Sequence, residues 1–191
     1  MVEIHSATSR RALLGLITAA PTVAVATSAS PWASTLTALY EEWNDVPAIL
    51  RRTKEGRSLS EFRYHNAESF FVSIENGLVR DRSDLLYHTG IVMQLGISAH
   101  LLDVGFDDRW CARYIGLKVA KSLAYANATG FHCNDADTSL LAAILTPYGN
   151  WRNPMMRERG CDDGPFTAAQ IRHLTRALLE RVRDVTGHSQ R

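Results

Sequence analysis

The chain has 191 residues, room for one domain of ordinary size rather than two. Apolar residues make up 46% and charged residues 21%, with a formal charge of +1, which excludes collagen-like, low-complexity and disordered classes. No basic run with interleaved aromatics is present, so nucleic acid is not an expected partner.

The first element in chain order is a segment of about 26 residues. Arg10 and Arg11 precede an uncharged, moderately apolar stretch from Ala12 to Ala26, which closes on Ala24-Val25-Ala26. Basic residues, then an apolar run, then small residues that fit a peptidase is the order a signal peptide requires. Ser9-Arg10-Arg11-Ala12-Leu13-Leu14 resembles the twin-arginine signal pattern, with Gly15 where that pattern usually carries lysine. The resemblance implies export to the periplasm in a folded state, engagement of the export machinery, and cleavage after Ala26. Residues 27–191 would then form the mature domain, with a formal charge of zero. The competing expectation is a cytoplasmic protein whose first helix happens to begin Arg-Arg, for instance an accessory protein of a mobile element.

Ser30 and Pro31 read as a helix N-cap and first helical position, and Trp32, Leu36, Leu39 and Trp43 then fall on one face. Pro47 ends or kinks that helix, and a short helical piece is expected from Ala48 to Glu55, stopping at Gly56. Residues 59–79 are ambiguous. Ala67, Phe70, Phe71, Ile74 and Leu78 give a helical stripe, while Phe70, Val72 and Ile74 alternate before the Asn76-Gly77 turn signal of a small β-hairpin near 69–80. Helix is favoured, because no neighbouring segment offers further strands.

Leu85 to Leu102 is a run of eighteen residues without a formal charge, capped by Ser83 and Asp84. It is long enough for a membrane span, but His88, Gln94, Ser98 and His100 point to a buried central helix of a protein that is not integral to the membrane. Gly90 and Gly96 would let neighbours approach it closely, and Gly105 closes it. The next helix is expected from Asp108 to Ala128, with Trp110, Tyr114, Leu117 and Ala124 near one face. Asp137 is placed to cap a helix over Thr138–Thr146 that must break at Pro147, and residues 147–165 read as a long loop. The last helix is the clearest. Thr167 and Gln170 form a capping box, Phe166 and Ile171 a hydrophobic staple, and Ile171, Leu174, Leu178, Val182 and Val185 the stripe, ending at Gly187. The expected fold is therefore all-α: five or six helices in a compact bundle around a buried central helix.

Chemistry is harder to find. His132, Cys133, Asp135 and Asp137 hold the lone pairs a transition metal uses, but match no ligand spacing, and a polar turn is the simpler reading. The same cluster fails as a calcium loop, with Leu140 where the sharp turn needs glycine. His100, Asp103 and Asp107 would share a face only if the helix continued past Gly105. Cys133 with His132, His100 or His88 would give a nucleophilic thiolate only if tertiary structure brought them together. Trp151 and Arg152, in the irregular 148–154 stretch, are the candidate ligand contacts. No phosphate loop, nucleophile elbow or paired C-x-x-C is present, so no cofactor is expected. Cys111, Cys133 and Cys161 are too few and odd in number for a disulfide framework. The expectation is a non-catalytic exported protein that binds a protein or small-molecule partner; a metal protein or enzyme built on the His/Cys/Asp cluster is the alternative.

Overall fold

The structure is a computed structural model and describes residues 31–153 and 162–189. The twin-arginine segment with Arg10, Arg11 and the Ala26 cleavage position, the Ser30 cap and Cys161 lie outside the described residues. What is described is all-α, with six α-helices of nine residues or more and no strand among the described residues. They are α1 (Ala33–Trp43), α2 (Lys54–Glu75), α3 (Arg82–Val104), α4 (Val119–Ala128), α5 (Ala136–Ile144) and α6 (Ala168–Thr186).

α3 is the axis of the bundle, as its uncharged composition implies. Sixteen of its residues are buried, and α2, α6, α4 and the short 3-10 turn Tyr148–Arg152 pack around it. By length and composition it is the one described helix apolar enough to cross a membrane, but 72% of that apolar window is buried inside the protein. A helix apolar on all sides needs neighbours on all sides. Its glycines supply the close approaches. A Cβ on Gly90 would lie 2.1 Å from the Cβ of Tyr148, and one on Gly96 would lie 3.1 Å from Leu179 Cδ2.

The ambiguous 59–79 region is helical: α2 runs through Glu75, and Asn76-Gly77 is its exit rather than a hairpin turn. Ala67, Phe71 and Ile74 are buried against α3, whereas Phe70 and Leu78 face outward. Other boundaries differ from expectation for identifiable reasons. No helix forms over 48–53; Thr53 instead caps α2, accepting from the Gly56 N–H at 3.0 Å, so Gly56 lies inside the helix. Asp81 rather than Ser83 caps α3, and Asp135 rather than Asp137 caps α5.

The helix expected over Asp108–Ala128 is broken. A helical turn at Asp108–Trp110 widens into a π-helical turn over Cys111–Ile115, closed by the Gly116 N–H donating to the Cys111 carbonyl at 3.0 Å. Gly116 then takes φ 58° and ψ −128°, which no helix contains, and α4 starts on a new axis after Lys118. The last helix is as expected, with both hydrogen bonds of the Thr167–Gln170 capping box present and Gly187 left-handed at its end.

Candidate functional site

The His/Cys/Asp cluster lies at the α4–α5 connection. His132 is exposed with a left-handed backbone (φ 53°), and the Cys133 thiol donates to Asp135 Oδ2 at 3.6 Å rather than to an imidazole. Asp135 is engaged by α5 as its cap, accepting from the Thr138 N–H at 2.7 Å, while Asp137 is exposed in the first turn. Burial, reinforced by the Asp135 carboxylate, pushes the Cys133 thiol up to about 11. It is therefore a thiol, not a thiolate, at neutral pH. Among the described residues no group of three His, Cys, Asp and Glu side chains is arranged to hold a metal ion.

His100 is buried on α3, with Nε2 facing Thr129 Oγ1 at 3.2 Å and its ring 5.2 Å from that of Phe131. Burial lowers its pKa to about 4, against a smaller opposing pull from Asp103. Asp103 itself accepts from Arg57 and lies 4.0 Å from Arg52. Trp151 and Arg152 sit by the opposite end of α3. The Trp151 Nε1–H donates to the Ile144 carbonyl at 3.2 Å, its own carbonyl accepts from Ser83, and the Arg152 guanidinium stacks 4.0 Å from the Tyr87 ring. Ser83 and His100 are 17 residues apart on one helix, roughly 25 Å at 1.5 Å per residue. His100 and Trp151 therefore do not share a pocket.

The fold brings together three constellations that the linear sequence does not show. In the first, Lys121 Nζ lies 2.7 Å from Asp45 Oδ2, and the Tyr125 hydroxyl donates to the same oxygen at 2.6 Å. Both charged side chains are under a tenth exposed; Tyr40, Trp43, Trp110 and Phe106 pack around the Tyr125 ring, and Trp43 also lies against Lys121. Removing one partner of such a pair typically costs about 3–5 kcal/mol, because the other charge stays buried. The constellation acts as a clasp between the α1–α2 connection and α4.

In the second, Ser60 Oγ and His188 Nε2 lie 2.7 Å apart, the separation of a serine–histidine pair. The Ser60 hydroxyl donates to the Ala99 carbonyl at 2.6 Å, so the imidazole N–H donates to Ser60. An oxygen that is fully buried and has its proton on a carbonyl is not a nucleophile awaiting a base. This pair latches the C-terminal end of α6 to α2 and α3.

The third is a surface. The outer side of α2 carries Phe62, 62% exposed, with Val72 and Phe70 also exposed further along. Phe62, His65, Ser69 and Val72 line one side of a groove of about 640 Å³, and Arg176 of α6 forms the other. Arg176 is fixed there by Glu68 at 2.8 Å and Glu75 at 3.0 Å, and lies 4.4 Å from the Phe71 ring. The Ser69 hydroxyl turns back to donate to the carbonyl of His65 and that of Ser73 to the carbonyl of Phe70, leaving the face less polar than its letters suggest. A Phe62 out of phase with the Ala67–Phe71–Ile74 stripe was the only linear signal for it.

No family model matches this chain. Comparison with curated proteins and with solved structures likewise found no similar one.

Proposed function

We propose that the protein is a non-catalytic binding protein whose partner docks on the outer face of α2. The observation that carries this reading is the groove itself: exposed Phe62 and Val72 beside a fixed Arg176. Its dimensions suit an amphipathic helix that inserts apolar side chains and sets basic groups beside the half-exposed Glu61. The burial of His100, its separation from Trp151 and the protonated Cys133 support binding over catalysis.

A photo-crosslinking residue at position 62, in the protein expressed in its own cells, is expected to trap one defined partner. The same residue at exposed Leu140, on α5, should not trap it, and Val72→Asp should abolish the adduct. Identical adducts from 62 and 140, or turnover of an ester, amide or glycoside substrate by the purified protein, would overturn the reading.

We propose further that the chain is exported through the twin-arginine route. Ser9-Arg10-Arg11 and Ala24-Val25-Ala26 support this, and cleavage after Ala26 would leave every described helix intact, since α1 starts at Ala33.

A further inference from the structure

Between α2, α3, the π-helical turn and α4 lies a narrow polar pit of about 50 Å³, separate from the α2 groove. Arg63, Gln94, Ser98, Asp108, Cys111 and Ser122 supply its polar lining. Burial grades from mouth to floor. The Asp108 side chain is 43% exposed and Ala112 lies at the surface, whereas Ser122 is fully buried. Two of the deepest atoms, Gln94 Oε1 and Ser122 Oγ, have no hydrogen-bond partner in the protein. Buried polar atoms are rarely left so, and each such group costs about 1–3 kcal/mol. A single-turn π-helix is itself a feature frequent at functional sites, and here it forms the pit wall.

From these features we infer that the pit is a binding site for a primary carboxamide head. Charge is already balanced, because Arg63 donates to Asp108 Oδ1 and to Ser98 Oγ, both at 2.5 Å; an ion would find no free counter-charge. The floor asks for a donor at Gln94 Oε1, an acceptor-only atom. Ser98 already accepts from Arg63, and its own proton and that of Ser122 call for an acceptor. An N–H donor and a carbonyl acceptor on one carbon are what a –CONH₂ group presents. One water needs about 10–15 Å³ of such space, so 50 Å³ takes a head of three or four heavy atoms. Burial, with Asp108 adding to it, pushes the Cys111 thiol up to about 12, so the thiol adds a neutral wall rather than a nucleophile. The head belongs either to a free small amide or to a side chain reaching in through the mouth.

The test is titration of the purified protein with formamide, followed by ¹H–¹⁵N NMR, with Ser122→Ala and Gln94→Met variants in parallel. Saturable shifts are expected at Gln94, Ser98, Cys111 and Ser122, weakened at least tenfold in either variant, with acetate producing none. Propionamide separates the sources: equal or tighter binding marks a head borne on a longer chain, and weaker binding a free small amide. Circular dichroism melting establishes that the variants are folded. Linear, non-saturating shifts in the parent protein, or saturation unchanged in both folded variants, would overturn the assignment.

Discussion

His100 is the residue whose burial has the clearest thermodynamic consequence. Its pKa falls from 6.5 to about 4 on folding, so between those values the unfolded chain binds more protons than the folded one. Stability therefore rises with pH across this window and is lost as pH falls through it, by up to about 3 kcal/mol from this group. His188, lowered chiefly by burial and then by Arg57, acts in the same direction. Thermal melts of the parent and of His100→Gln between pH 4 and 7.5 check this. The parent should lose more stability on acidification than the variant, and parallel curves would show that His100 carries no linkage. At this scale the sequence is a poor guide. His100, His132 and Cys133 are chemically alike in a list, and only tertiary burial distinguishes a sealed imidazole from an exposed one.

At the scale of elements, residue patterns carried most of the information wherever the governing interaction is local. The Thr167–Gln170 box, the Gly105 stop and the burial of α3 are written within a few residues of where they act. The break at Gly116 was not legible, because apolar residues continue on both sides of it and the kink depends on one backbone conformation. The clasp was equally hidden, since Asp45 and Lys121 lie 76 residues apart. Gly90 offers a test of how tightly the central helix is enclosed. Gly90→Ala places a Cβ against the first atoms of the Tyr148 side chain, forcing the 3-10 turn to move, and should cost about 2 kcal/mol despite alanine's better helix propensity. Gly96→Ala is tight only against the tip of the Leu179 side chain, a contact relieved by a few tenths of an ångström, and should stay within about 1 kcal/mol of the parent. Urea denaturation of both variants decides; equal stabilities would mean that the Tyr148 contact is not rigid.

For the whole molecule, cellular location determines where a partner for the proposed α2 groove is to be sought. Intact mass of the protein recovered separately from periplasmic and cytoplasmic fractions is the direct measurement. A periplasmic species beginning at Thr27 is expected. A full-length species confined to the cytoplasm would overturn the export proposal and turn the search toward intracellular partners. The carboxamide pit is unaffected by either result, because it is built from residues 63–122.

The buried clasp also imposes an order on biosynthesis. α1 packs on α4, and its connection to α2 is held by Lys121 and Tyr125. During translation, then, α1 leaves the ribosome long before its docking partner exists. Until residues 121–125 have emerged, Asp45 has neither its cation nor the Tyr125 hydroxyl to meet, so α1 and the connection after it must wait for the clasp to close.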